Sequence, residues 1–267
     1  MTDRDGVASA PRARWSNGQI ELGERELAEE AAVALVHDAT ATAVMMATPA
    51  DLEDFGVGFS LTERLIETAD EIRDLEIAAG PLGVEVRMWL AGERGAALAA
   101  RRRQLAGPTG CGLCGLDSLA EAARPPRPVP EGGAIDAAQI AAALDALAAA
   151  QTIGAATRAA HAAGWWTPDQ GLSLAREDVG RHNALDKLAG ALARAGRPTA
   201  VGAVFLTSRV SVEMVQKTAA LGAPILVAVS APTALAVRTA EAAGITLIAV
   251  ARADGFEVFT RPERVKA

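Results

Sequence analysis

The C-terminal third of the chain sets the tightest limit on its fold. Three short apolar runs, 201–206, 225–229 and 245–250, alternate with two helical segments, 211–221 and 233–243, closed by Gly222 and Gly244. Runs this short, rich in Val and Ile, are expected of parallel strands covered by helices on both faces. A glycine just past a helical pattern supplies the left-handed residue that ends it. Residues 256–260 add a candidate edge strand. Upstream, 172–175 reads as another strand, before a helix with Leu185, Leu188 and Leu192 on one face that ends at Gly196 and Pro198. The predicted class is α/β.

In an open α/β sheet, ligands bind outside the carboxyl ends of the strands. Each predicted strand here ends in a polar or small-residue loop. These are Arg176 through Asn183, Thr207-Ser208-Arg209, Ser230-Ala231-Pro232, and Ala251-Arg252-Ala253-Asp254-Gly255 running into Phe256. If the strands are parallel neighbours, the loops share one edge. That edge gathers Arg176, Arg181, Arg209 and Arg252 with three helix N-termini, a combination suited to phosphate. Taken singly, a Ser or Thr before a helix is a cap, and an Arg–Asp pair in a loop is a solvated ion pair. The convergence of four loops is what points to a ligand. His182, beside Arg181 and near Asp178, is open between a structural hydrogen bond and a substrate contact. His161, among alanines, reads as an interior histidine, and Trp165-Trp166 as core or interface.

Cys111 and Cys114 are the only cysteines, in a C-x-x-C pair within Gly107-Pro108-Thr109-Gly110-Cys111-Gly112-Leu113-Cys114-Gly115. Glycines and a proline at that density exclude a helix or strand interior and predict a mobile, exposed loop. A structural zinc site needs four ligands, and no second pair is present. A thioredoxin-like pair opens a helix directly after a strand, whereas a proline-glycine loop precedes this one. Sulfur relay through a persulfide needs an accessible thiolate, nearby positive charge such as Arg101-Arg102-Arg103, and a loop able to reach two partners. On the pair alone, relay, redox, metal and incidental cysteines all stay open.

Residues 1–24 are polar without a sustained period and are expected to form a flexible N-terminal tail, 1–25. Residues 31–37 and 42–47 flank His37-Asp38-Ala39-Thr40-Ala41 and read as a hairpin. Thr48 as cap and Pro49 as first residue predict a helix down to 67, with Leu52, Phe55, Phe59 and Ile66 on one face. Two strands at 74–79 and 84–90 follow, then an alanine-rich helix at 93–105. The proline-rich run 124–130 is a stiff connector. It divides an N-terminal α+β part, 26–130, from an α/β part, 131–267. Asp136 and Gln139 form a capping box ahead of Ile140, Leu144 and Leu147 at helical spacing.

A net charge of −7 counts against a general nucleic-acid binder, though not against a local basic pocket. Two cysteines beside glycines make no disulfide framework, so a reducing compartment is expected. Residues 1–19 hold no apolar signal core, and no long apolar window is free of charge. The expectation is a cytoplasmic protein with no membrane span.

Four segments match a known family. They are 44–55 (Val-Met-Met-Ala-Thr-Pro-Ala-Asp-Leu-Glu-Asp-Phe) with Gly58-Phe59; Cys111-Gly112-Leu113-Cys114-Gly115; 176–187 (Arg-Glu-Asp-Val-Gly-Arg-His-Asn-Ala-Leu-Asp-Lys); and Thr207-Ser208-Arg209-Val210-Ser211 running on to Ser230-Ala231-Pro232-Thr233-Ala234. In family order from about residue 30 to 260, they closely resemble the formate dehydrogenase accessory sulfurtransferases, the FdhD family. The resemblance implies a cytidine-deaminase-like three-layer core with a mixed sheet, a homodimer, and a sulfur relay. In that relay Cys111 takes persulfide sulfur from a cysteine desulfurase, with Cys114 its partner. The sulfur then passes to the molybdenum bis-guanine-dinucleotide cofactor of formate dehydrogenase. The resemblance also implies that Ala251 to Phe256 contact that cofactor, and its diphosphates suit the edge with Thr207, Ser208, Arg209, Ser230, Arg181 and His182. It raises the weight on a ligand-facing His161. Two departures touch the local pocket: Glu30 is followed by Ala31-Ala32 where the family often has Pro-Leu, and Arg158 follows Thr157 where a glycine is usual.

A zinc deaminase would need H-x-E before P-C-x-x-C. His37 is followed by Asp38-Ala39, and Gly110 precedes the first cysteine, so ligand and general acid are both missing. A different class of reading is a chaperone that binds and delivers the cofactor without sulfur chemistry; the same edge would serve it. No stoichiometric metal is expected.

Overall fold

The computed structural model describes residues 6–92, 125–252 and 254–266. The predicted helix at 93–105, the cysteine loop with Cys111 and Cys114, and Ala253 lie outside them.

The larger sheet is built from β8 (His161–Thr167), β9 (Gly171–Asp178), β10 (Ala203–Leu206), β11 (Ile225–Ala228), β12 (Thr246–Arg252) and β13 (Gly255–Val258). Their order is β13-β12-β11-β10-β8-β9, while β7 (Ile135–Asp136) pairs separately and in parallel with β14 (Val265–Lys266). Strands β10, β11 and β12 are parallel, while β8 is antiparallel to both β10 and β9. It follows that β9 runs the same way as β10 to β12. The carboxyl ends of all four share one edge, and the antiparallel β8 brings its first residue, His161, to the same edge opposite Asp178.

Helices α4 (Arg181–Arg194), α5 (Val212–Leu221) and α6 (Ala234–Ala243) cover one face. Leu185, Leu188 and Met214 pack there with Trp165, Val204 and Leu226. The other face receives α2 (Ala137–Ala150), whose Ile140 and Leu147 join Trp166, Phe205 and Val227. The tryptophan pair therefore anchors both layers, because successive strand residues face opposite ways. The predicted caps hold: Asp136 accepts from Gln139 N at 2.8 Å, and Gly222 and Gly244 end their helices at φ 72° and 73°.

The smaller sheet has the order β4-β3-β6-β5, from β3 (Ala31–His37), β4 (Thr40–Ala47), β5 (Ile72–Gly80) and β6 (Gly83–Leu90). Phe55 and Phe59 of α1 (Leu52–Thr62) pack on Val33, Leu35, Val86 and Met88. The opposite face of α1 lies against α4. A Cβ on Gly58 would fall 1.7 Å from the Asp186 carbonyl oxygen, and one on Gly190 1.9 Å from that of Asp54. Only glycine permits that approach. The layers thus run from the small sheet through α1, then α4 with α5 and α6, then the large sheet, to α2.

Three sequence expectations are corrected. The supposed tail, 1–25, contains a hairpin of β1 (Val7–Ser16) and β2 (Gln19–Ala28). Its turn is Asn17-Gly18, with φ 51° and 76°, the dipeptide a tight hairpin favours. Its strands are largely exposed, so the apolar signal is weak. The first helix starts at Leu52 rather than Pro49 and ends at Thr62 rather than 67, because Thr48 is engaged elsewhere and Arg64 turns left-handed at φ 57°. Arg176, Glu177 and Asp178 are the end of β9, not a loop after it.

Candidate functional site

The charged stretch that ends β9 and opens α4 divides into two kinds of residue. Most of it is structural. Arg176 donates twice to Asp54 of α1, at 2.9 and 2.8 Å, which corrects its expected place on the ligand edge. Glu177 accepts from the backbone of Ile153 and Gly154 and so caps α3 (Thr152–Thr157). Asp178, fully buried, accepts from Thr48 N, Gly180 N and Asn183 Nδ2 and pairs with Lys187 at 2.7 Å. The Lys187 ammonium also donates to the Thr48 carbonyl at 2.9 Å. Burial lowers its pKa, with Asp178 pulling the other way. Next to Lys187 in the chain, Asp186 accepts from Thr62 at 2.6 Å and pairs with Lys217 of α5 at 2.9 Å. Every one of these charges ties one layer to another.

Arg181 and His182 behave differently. They are the first two residues of α4, whose N-cap, Gly180, has no side chain to offer. Arg181 Nε and His182 Nε2 are buried without a hydrogen-bond partner among the described residues. Burial, then the charges of Arg181 and Lys217, pushes His182 down to about 4, so the imidazole is neutral at physiological pH. Burial likewise lowers His161, helped by Arg181 and opposed by Asp178. A buried polar atom left unpaired costs about 1–3 kcal/mol, which a ligand supplying the missing bond would recover.

The other predicted residues surround the same edge. Thr207 extends the pairing of β10 with β8, its Oγ1 accepting from Ala162 N at 2.9 Å. Ser208 is buried and donates to the Arg209 carbonyl, leaving the Arg209 side chain exposed. Ser230 accepts from Val250 N through its carbonyl, and Arg252 donates to the Val229 carbonyl at 2.6 Å, so the ends of β11 and β12 are knitted together. Ala251 is buried, Asp254 and Gly255 are exposed, and Phe256 packs partly buried against the α2 side of the sheet. Val250 holds φ 53° where β12 bulges against β13. A β-branched side chain in that region is strained, and such strain gathers at ligand sites.

Two features escaped the sequence. Glu213, the second residue of α5, reads from sequence as an ordinary acidic first-turn residue, yet it lies within electrostatic reach of His182 and Arg181. The strain at Val250 has no sequence signal at all. His161 reaches the edge as the start of β8, a strand whose Ala-Ala-Gly run masks it. Among the described residues no group of three potential ligands could hold a metal ion, and no helix is long and apolar enough to cross a membrane.

Comparison with known proteins places this geometry. A model of the FdhD/NarQ family matches residues 28–266. A sulfur carrier protein FdhD from Agrobacterium fabrum is 50% identical over 258 residues, spanning 95% of this chain and 94% of its own length. Its counterpart from Cupriavidus necator is 51% identical over 254 residues, spanning 95% and 88%. A crystal structure of a formate dehydrogenase accessory protein from Desulfotalea psychrophila matches with a TM-score of 0.76 at 26% identity, over 97% of this chain and 99% of that one.

Proposed function

The chain belongs to the FdhD/NarQ family, and from that premise we propose that it carries sulfur for the maturation of a formate dehydrogenase. The observation that carries the reading is identity of about half, over nearly the whole chain, to proteins named sulfur carriers. In the finer form of the proposal the chain is a sulfurtransferase. The Cys111 thiolate attacks the outer sulfur of a persulfide on a cysteine desulfurase. A new S–S bond forms at Cys111, the donor's S–S bond breaks, and the donor cysteine leaves as thiolate. Cys114 stands three residues away as the second thiol.

The cargo in this reading is the molybdenum bis-guanine-dinucleotide cofactor, held as substrate at the carboxyl edge of the large sheet. Arg209 and Arg252 supply exposed guanidinium groups for its diphosphates, and the residues from Ala251 to Phe256 form the rim. The unpartnered Arg181 and His182 atoms support a ligand at this edge. Holding the nucleotide there fixes the end of the cargo that does not react.

The test has two readouts. Incubated with a desulfurase and cysteine, the protein should gain about 32 Da per sulfur, removable by reductant, as a persulfide requires. Cys111→Ala should lose both that mass and the ability to mature formate dehydrogenase. A Cys111→Ala protein that matures the enzyme as well as wild type would leave a cofactor-binding chaperone as the reading.

A further inference from the structure

Two helices meet the ligand edge with their N-termini, and an ion pair fixes how they face each other. Asp186 lies four residues after His182 on α4, and Lys217 four residues after Glu213 on α5. Residues four apart share a helix face. The 2.9 Å Asp186–Lys217 pair therefore sets His182 and Glu213 across from each other one turn nearer the edge. Arg181 adjoins them. Here a carboxylate lies within electrostatic reach of an arginine whose Nε is buried and unpaired and of an imidazole whose Nε2 is also unpaired among the described residues.

We propose that Arg181, His182 and Glu213 form a subsite for one edge of a planar fused heterocycle that carries a lactam next to an exocyclic amine. Guanine and pterin share that edge. The inference rests on the reading that the guanine-dinucleotide cargo docks here, and it assigns the part of the cargo these residues take.

The donor and acceptor inventory selects this class. A phosphate offers acceptors only and would meet Glu213 as a like charge. A lactam flanked by an amine offers two parallel N–H donors to the carboxylate and a carbonyl to Arg181 or His182. Charge-assisted bonds of this kind are the strong ones. The protonation states agree. Burial alone would raise the Glu213 carboxyl, but the Ser211 hydroxyl and its own backbone N–H, with the Arg181 charge behind, outweigh it and keep the group anionic. His182 stays neutral, so it can donate or accept according to its tautomer. The diphosphates are left to Arg209, between β10 and α5, and to Arg252, at the end of β12.

The experiment is a calorimetric titration of the full chain with four probes. GDP is compared with IDP, which lacks the exocyclic amine, and pterin with lumazine, in which oxygen replaces it. Wild type should prefer the amine-bearing member of one pair by about tenfold or more, the scale of a hydrogen bond to a charged group. Preference within the first pair assigns guanine, and within the second, pterin. Glu213→Gln should bring the preferred pair to nearly equal affinity. Equal affinity within both pairs for wild type overturns the subsite, as does a preference that Glu213→Gln retains. The wild-type comparison stands even if the variant folds poorly. A chain that binds the probes but shows no preference within either pair loses only this subsite. One that binds none of the four probes loses both the subsite and the docking reading.

Discussion

The seam between α1 and α4 and the carboxyl edge of the large sheet are made from the same kinds of residue, treated in opposite ways. At the seam, Asp178 with Lys187 and Asp186 with Lys217 are buried, paired and hydrogen-bonded by further groups. At the edge, Arg181 Nε and His182 Nε2 are buried and lack partners among the described residues, while Val250 is strained. One stretch of α4 supplies both. The difference teaches that charge density alone does not separate the two regions; the unpaired Arg181 and His182 atoms, with the strain at Val250, do.

The largest effect should come from breaking the seam. Lys187→Met leaves Asp178 buried and unpaired and should cost about 3–5 kcal/mol, read as a lower urea midpoint. Adding Asp178→Asn should recover part of the loss; if it deepens the loss instead, Asp178 holds Thr48 and Gly180 more by charge than by shape. Next, Gly58→Val places a side chain against the Asp186 carbonyl and should cost about 3 kcal/mol. Near-wild-type stability would mean that the two helices separate freely and the layers are not locked together.

The edge should respond the other way. Arg181→Gln should leave stability within about 0.5 kcal/mol and weaken GDP binding by about 1–3 kcal/mol. A large loss of stability with unchanged binding would move Arg181 to the structural side. The last effect concerns pH and is confined to an acidic window. His182 takes up its proton near 4 when folded, against 6.5 for the free side chain. The unfolded chain therefore binds the proton first, and stability should fall as pH drops from about 6.5 toward 4, with no contribution above that window. His182→Gln should flatten this part of the pH profile; an unchanged slope would show that other groups cause it.

Much of this architecture was legible because it rests on local rules. Short Val-rich and Ile-rich runs closed by Gly222 and Gly244 gave the parallel strands and their helices, and the direction of β9 then gathered the loops. The hairpin of β1 and β2 was hidden by its exposed, charge-rich strands, although Asn17-Gly18 marks its turn. Arg176 could not be separated from Arg181 in sequence, since only the packing of α1 against α4 gives one of them Asp54. Glu213 was equally opaque: its role depends on the Asp186–Lys217 pair that orients two helices distant in sequence. Cys111 and Cys114, the clearest chemistry in the sequence, lie outside the described residues.

The most direct measurement is calorimetry of GDP with Arg209→Ala and Arg252→Ala, run beside persulfide loading of the same two proteins. Each variant should bind GDP more weakly, by about 1–3 kcal/mol for a lost charge-assisted phosphate bond, and should still take sulfur on Cys111 in full. Unchanged GDP affinity in both variants would contradict docking at this edge.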